Sequence, residues 1–302
     1  MKKILFYSAL LLQCRVGISQ IPSLYPLSLL KYQDQSLFEN PAASVRSTAS
    51  EITLLHSNYT GLGGNVGLNY LNATASIKNK NTSNMHMPGI VVHSEFDTEI
   101  LTRNRFYLKY AWSTSISSST KISAGAHLGF FNYAVKSSNS SSGVSAFAPD
   151  ATIGIWISNP KANIGFSIPQ ITNAQVKPIN SSFILQRHYI LFADYTILST
   201  PKNELKTGLK YLTNGSNYSM IQGFLNLSLS KLFASEFSYS LNRGYTFSAG
   251  FTNFEILKNQ TDLFFSYFHS AQNIKALSLD RIEICLRYRI KKKIQEVQEP
   301  DE

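Results

Sequence analysis

The sequence predicts an all-β protein: an antiparallel transmembrane β-barrel of about 14 strands, preceded by an N-terminal segment without strand character. Three observations predict this fold. Apolar and polar side chains alternate along many segments, short and long connections follow each other, and a signal-peptide pattern stands at the start. A soluble β-sandwich would alternate too, so the strand number and the turn lengths decide between the two folds.

The composition agrees with a membrane barrel. Only 15% of the 302 residues are charged, against about 25% in soluble domains, and 12% are aromatic. After the N-terminus there is no apolar run of about 20 residues, which a transmembrane helix would need. The formal net charge is +10, but the basic residues are scattered, so we expect no nucleic-acid binding.

Residues 1–19 have the pattern of a secretory signal peptide. A basic start, Met1-Lys2-Lys3, precedes the apolar run 4–12, and small residues precede a cut before Gln20. Cys14 lies inside this peptide, so Cys285 remains as the single cysteine of the mature chain and no disulfide can form within it.

Residues 20–50 form a separate segment with no strand period. It contains Asn40-Pro41-Ala42, in which Pro41 fixes its own φ and disfavours the α region for Asn40. We expect the segment to pack in or beneath the barrel; a flexible leader is the alternative.

The barrel is expected to span residues 51–290. Its fourteen candidate strands share the two-residue period and end at turn-forming residues. They are 51–58, 66–77, 86–97, 103–116, 120–134, 150–158, 161–168, 184–197, 204–213, 219–229, 232–240, 245–253, 261–269 and 279–290.

The last strand shows the period most clearly. Ile282, Ile284, Leu286, Tyr288 and Ile290 share one face, and Glu283, Cys285, Arg287 and Arg289 share the other. We expect the apolar face to meet lipid, the polar face to line the lumen, and the strand to pair with the first one. On this reading, leucine in place of Arg287 or Arg289 should leave insertion nearly intact.

The connections provide an independent test of the strand number. Turns 117–119, 159–160 and 230–231 are short, whereas 135–149, 169–183 and 270–278 are long. Fourteen strands place all the short ones in the periplasm and all the long ones outside, as bacterial barrels require. Connections 78–85 and 254–260 are long for periplasmic turns. The charged tail 291–302 is expected to be a disordered periplasmic end.

No chemistry of catalysis or metal binding is indicated. The six histidines show no metal-site spacing, and the chain has no nucleophile elbow or phosphate-binding glycine loop. We therefore expect no metal, no cofactor and no enzymatic activity.

One polar cluster is more specific: Gln186-Arg187-His188-Tyr189, followed by Asp194. If Asp194 faces the lumen, the period places His188 and Gln186 there too, with Arg187 outward near the membrane surface. One interpretation is an interfacial anchor plus a network of lumen hydrogen bonds. The other is that His188, Gln186 and Asp194 contact something lodged in the lumen.

These residues resemble the PorP/SprF outer-membrane proteins of the Bacteroidetes type IX secretion system. The likeness rests on Asn40-Pro41-Ala42, on the segment 153–169, on Gln186 to Tyr189 after its Ser-Ile-Pro loop, and on the Tyr-containing closing strand. It spans about residues 21–290. The family often has Asn-Pro-Ala-Tyr-Ala-Gly, where this chain has Ala43-Ser44 after Ala42.

The resemblance implies a non-enzymatic, multi-pass barrel of the outer membrane that helps to export or anchor a large surface adhesin by holding its C-terminal sorting domain. It also implies secretion and gliding components as partners, with outer-membrane lipid around the wall. The alternatives are an outer-membrane channel or transporter for a small solute, a barrel enzyme, and a secreted β-sandwich or adhesin module.

Overall fold

The structure is a computed structural model that describes residues 26, 28–46, 49–60, 65–78, 83–98, 100–136, 143–178, 182–216, 218–271 and 280–290. The predicted signal peptide 1–19 and the tail 291–302 lie outside the described residues.

Fourteen long strands make up the barrel. In chain order they are β1 Ser50–Tyr59, β2 Val66–Thr74, β3 Met85–Asp97, β4 Leu101–Ser115, β5 Lys121–Val135, β6 Val144–Ser158, β7 Ala162–Ile168, β8 Tyr189–Ser199, β9 Glu204–Thr213, β10 Ser219–Leu229, β11 Phe233–Ser240, β12 Gly244–Ile256, β13 Asn259–Ser270 and β14 Arg281–Ile290. Two-residue pieces lie at Ile77–Lys78, Gln175–Val176 and Phe183–Ile184.

The sheet closes on itself as an antiparallel meander. Each long strand pairs with the next one along the chain, and β14 pairs with β1 in the register Ser50↔Ile290 to Tyr59↔Arg281. This closure leaves no unpaired sheet edge, which a lipid environment demands. The predicted 14-strand antiparallel barrel is confirmed.

The two faces of the wall follow the two-residue period. In β14, Ile284 and Leu286 are exposed, whereas Cys285 and Arg287 are only 2% exposed. The same alternation holds in β12, where Phe247 is exposed and Ser248 is buried. Apolar side chains therefore cover most of the outside of the barrel, and polar side chains face its interior in these strands, as the sequence predicts.

Replacing Leu286 by arginine should lower the free energy of unfolding by about 2–4 kcal/mol, because the guanidinium would face acyl chains in the middle of β14. Urea unfolding in lipid vesicles, followed by tryptophan fluorescence, measures the loss. Leu286→Phe is the control, since it keeps the position apolar. An arginine tolerated as well as phenylalanine would contradict the lipid-facing assignment.

Both ends of the sheet lie on one side of the barrel, where β1 starts and β14 ends. We call it the inner end, because the chain ends of an even-stranded bacterial barrel face the periplasm. Connections 116–120, 159–161 and 230–232 lie at this end, and the long connections 169–188 and 271–280 lie at the outer end.

Some boundaries differ from the sequence expectation. The long outer loop predicted at 135–149 is shorter, because Val135 pairs with Val144 and β6 continues through Pro149. The connection predicted at 254–260 is a tight turn, in which Leu257 and Lys258 both have positive φ, a conformation that suits a two-residue hairpin.

The N-terminal segment contains the helix α1, Tyr32–Glu39, and a 3-10 helix, Pro41–Arg46. Asn40 ends α1 in an extended conformation (φ −132°, ψ 103°), as the following Pro41 predicts. In the described part of the chain, no helix is long and apolar enough to cross a membrane.

Candidate functional site

The N-terminal segment threads the lumen from the outer end towards the inner end. Near the outer end of β14, Arg281 donates a hydrogen bond to the carbonyl oxygen of Ser28 (2.5 Å). The backbone N–H of Leu30 donates to the carboxylate of Glu283 (3.0 Å). Further down, the N–H of Tyr32 donates to Glu236 (2.7 Å). Inward carboxylates thus satisfy backbone donors before and at the start of α1.

Two ion pairs hold α1 against opposite parts of the wall. Asp34 accepts a hydrogen bond from Arg287 of β14, and Glu39 pairs with Lys210 of β9 at 2.5 Å. Glu51 and Asp262 also lie within 3.6 and 3.8 Å of Arg287. Charge-assisted hydrogen bonds between buried groups are strong, and removing one partner leaves the other uncompensated.

Lys31 is buried at the start of the segment. Its Nζ lies 3.3 Å from the ring centroid of Phe264, a cation–π contact.

Aromatic stacking fixes the segment on both sides of the lumen. Tyr32 stacks on Phe224 of β10 with ring centroids 3.9 Å apart, and Phe38 stacks on His93 of β3 at 4.6 Å. Apolar contacts reach further around the wall: Tyr32 and Leu37 join Trp156 in one cluster. These contacts together involve strands around most of the barrel, so the segment fills the lumen in its central part.

Asn40 sits in a notch formed by glycines. Its Nδ2 donates to the carbonyl oxygens of Ile155 (3.0 Å) and Phe166 (3.3 Å), and its Oδ1 accepts from the N–H of Ala42 (3.0 Å). A Cβ at Gly154 would lie 2.1 Å from Asn40 Oδ1. Only glycine at that wall position leaves room for the amide.

Pro41 and Ala42 approach the wall as closely as Asn40 does. A Cβ at Gly125 of β5 would lie 2.8 Å from the carbonyl carbon of Pro41 and 2.7 Å from the nitrogen of Ala42. The Asn-Pro-Ala motif is therefore the place where the segment's backbone touches the barrel wall, and inward glycines make that contact possible.

The Gln-Arg-His-Tyr element lies at the outer end of β8, and only Tyr189 belongs to the strand. Gln186 is exposed and accepts a hydrogen bond from Asn214 (3.1 Å). Arg187 is exposed and donates to the carbonyl oxygen of Ile171 (2.9 Å). The expectation that Gln186 faces the lumen is wrong, because the strand period begins only after it.

His188 is buried, unlike its two predecessors. The backbone N–H of His188 donates to the carbonyl oxygen of Pro169 (3.2 Å). The ring Nδ1 lies 2.7 Å from the carbonyl oxygen of Gln186, and the ring packs edge-on against Tyr218. Burial lowers the pKa of His188 to about 4, so the ring is neutral at pH 7. His188 thus fastens the loop before β8.

Asp194 faces the lumen elsewhere on β8. Its Oδ1 accepts a hydrogen bond from Asn163 (2.6 Å), and it lines a polar cavity of about 240 Å³ that Gln33 and Lys206 also line. The structure does not bring Asp194, His188 and Gln186 together around one guest. The lumen is occupied by the chain's own N-terminal segment, which the ion pairs of Asp34 and Glu39 anchor to the wall.

The outer mouth is covered by part of the connection 169–188. Its small hairpin, Gln175–Val176 with Phe183–Ile184, buries Val176 and Leu185 against Phe131, which is an inward residue of β5. The exposed Gln186 and Arg187 directly follow this hairpin, so they lie on a rim that is packed into the barrel.

The sequence could suggest some of these contacts and not others. Lys210, Glu236 and Arg287 stand at inward positions of their strands, which the period alone indicates. The sequence did not indicate which residues of the N-terminal segment pair with them, because a helix without a strong apolar face does not reveal what it packs against.

A lipid-facing wall, a closed 14-strand sheet and a lumen occupied by the chain's own N-terminal segment define a bacterial outer-membrane β-barrel protein. Residues 25–288 match the family described as type IX secretion system membrane protein PorP/SprF. The chain belongs to this family and is an outer-membrane protein of the type IX secretion system.

Solved structures with the same fold include a hydrocarbon channel and two toluene transporters. The CymD monoaromatic hydrocarbon channel is 11% identical, over 85% of this chain and 92% of that one, with a TM-score of 0.57. The Ralstonia pickettii toluene transporter TbuX is 10% identical over 90% and 100%, with a TM-score of 0.56. The Pseudomonas putida toluene transporter TodX is 9% identical over 87% and 94%, with a TM-score of 0.54. At this identity the likeness concerns the fold alone. No curated protein matches the chain significantly.

Proposed function

We propose that this protein is a non-enzymatic barrel that helps to export or anchor a large secreted adhesin by binding the adhesin's C-terminal sorting domain. The proposal rests on the observation that the N-terminal segment occupies the lumen. The ion pairs of Asp34 and Glu39 and the notch around Asn40 hold the N-terminal segment across it. A barrel filled in this way is suited to holding a partner rather than to passing one.

The outer rim supplies the surface for that partner. Gln186 and Arg187 are exposed, and hydrogen bonds to Asn214 and Ile171 fix them in place. A preorganised rim loses little conformational entropy on binding. Arg187 adds a planar guanidinium, which suits carboxylate and backbone acceptors of a folded domain. We expect other components of the secretion system to join the complex of the barrel and the adhesin.

The test is retention of a fluorescent protein fused to a sorting domain at the surface of cells that carry Gln186→Ala/Arg187→Glu. We expect most of the reporter to be released into the medium, because the rim loses its amide and inverts its charge. Lys161→Glu, in an exposed turn of the inner end, is the matched control. Equal retention in both variants would refute the rim as the binding surface.

A small-solute channel is the second candidate, favoured by the monoaromatic hydrocarbon channel and the toluene transporter that share the fold. It requires a continuous path across the lumen. Ion conductance of the purified protein in planar bilayers, without any partner, separates the two: the adhesin-binding barrel should stay closed.

A further inference from the structure

The lipid-facing side of β1 to β5 has a continuous line of polar side chains. Each member stands directly opposite the next in the register of the sheet, and each faces outward. The line consists of His56, Asn69, Ser94, Asn104 and Asn132. With strands about 4.8 Å apart, it runs for roughly 19 Å around the wall.

This line starts beside an apolar part of the wall. His56 pairs with Ile284 of β14, whose outward residues are apolar up to Ile282 near its outer end. On β1, by contrast, only Ile52 and Leu54 are exposed apolar residues below His56. The apolar band is therefore thin at β1, and polar groups at this depth need hydrogen-bond partners.

The polar residues bond one another only in part. His56 Nδ1 lies 2.8 Å from Asn69 Oδ1, and Ser94 Oγ donates to Asn104 Oδ1 (2.6 Å). These bonds use the amide oxygens. Among the described residues no hydrogen bond engages the side-chain N–H₂ groups of Asn69 and Asn104, which remain as donors on the outer surface.

An apolar depression of about 460 Å³ adjoins the line on the same wall. Its apolar lining includes Leu54, Leu71, Val92, Ile284 and Leu286, and His56, Asn69 and Ser94 lie among its lining residues. An apolar hollow with an uncharged polar margin is thus open to the membrane.

We infer that this hollow binds a glycolipid of the outer leaflet, with an acyl chain in the depression and sugar hydroxyls on the polar line. The depression is continuous with the wall that acyl chains already cover. Amide, imidazole and hydroxyl groups complement sugar hydroxyls. The described outward positions of β1 to β3 include no lysine or arginine, so a phosphate would lack its usual partner there.

A second membrane protein fits the surface less well. The line crosses five of the fourteen strands of a convex wall, so a rigid partner would need a concave surface to reach all of its members. A lipid headgroup is small enough to follow the curvature.

Native mass spectrometry of the purified barrel in detergent tests the inference, with a phosphate-free glycosyl diacylglycerol and phosphatidylethanolamine as probes. The wild type should retain the glycosyl diacylglycerol. His56→Leu/Asn69→Leu removes the polar margin and should weaken binding about tenfold or more, as the loss of one or two net hydrogen bonds predicts. Leu71→Trp fills the depression and should weaken binding by excluding the acyl chain.

Ile221→Trp, an exposed apolar residue on β10 across the barrel, is the matched control and should bind like the wild type. Heat-modifiable migration on gels verifies that every variant is folded. Equal binding of phosphatidylethanolamine, an equal loss in Ile221→Trp, or a protein crosslinked to position 69 in native membranes would each overturn the glycolipid assignment.

Discussion

Arg287→Leu should destabilise the protein by about 3–5 kcal/mol, the usual loss when one partner of a buried ion pair is removed. Arg287 is 2% exposed and faces Asp34, Glu51 and Asp262. Its removal leaves three carboxylates close together without their shared cation. Urea unfolding in lipid vesicles measures the change, and proteolysis of the released N-terminal segment should accelerate with it.

Two control variants distinguish the loss of the buried ion cluster from a general loss of stability. Arg287→Leu/Asp34→Leu removes a charge of each sign and should recover part of the loss. Arg289→Leu, at a position that is 20% exposed and also paired with Asp262, should cost less. The alternation in β14 by itself predicts that both arginines are replaceable; tolerance of Arg287→Leu would support that expectation and contradict the buried cluster.

Gly154→Val should dislodge the N-terminal segment and turn a closed barrel into a conducting one. The new Cβ would lie 2.1 Å from Asn40 Oδ1, so Asn40 must leave its notch and give up its two hydrogen bonds to the wall, to Ile155 and Phe166. At about 1 kcal/mol for each bond, the segment loses about 2 kcal/mol of its hold on the wall. Single-channel recording in planar bilayers should show new openings.

Gly223→Val is the matched control, because it changes glycine to valine on the outward face of β10. The nearest atom to a Cβ there is Leu209 Cδ2 at 3.5 Å, an ordinary contact. This variant should remain as closed as the wild type. If Gly154→Val folds but shows no new channel openings, the Asn40 notch does not keep the lumen closed.

The faces of the strands could be predicted because the two-residue period is local. Whether Ile284 or Cys285 faces lipid depends only on the alternation within β14. The strand number was also predictable, since a wrong count would have put the long connections at the inner end. The alternation rule predicted the wrong side for Gln186, because the two-residue period does not extend before Tyr189, the first residue of β8.

The contacts in the lumen could not be predicted, because they join distant parts of the chain. Asp34 and Arg287 are 253 positions apart, and Asn40 reaches carbonyl groups 115 and 126 positions away. Nothing near Gly154 in the sequence indicates that Asn40 occupies the space this glycine leaves.

By itself the sequence determined the class of protein, a 14-strand barrel with an apolar outside, because alternation and turn length are properties of neighbouring residues. Only the tertiary structure decided that the N-terminal segment occupies the lumen and that charged groups and a glycine notch hold it there. Closure of the sheet brings inward side chains from distant strands around one axis, and their shared partner exists only after that closure.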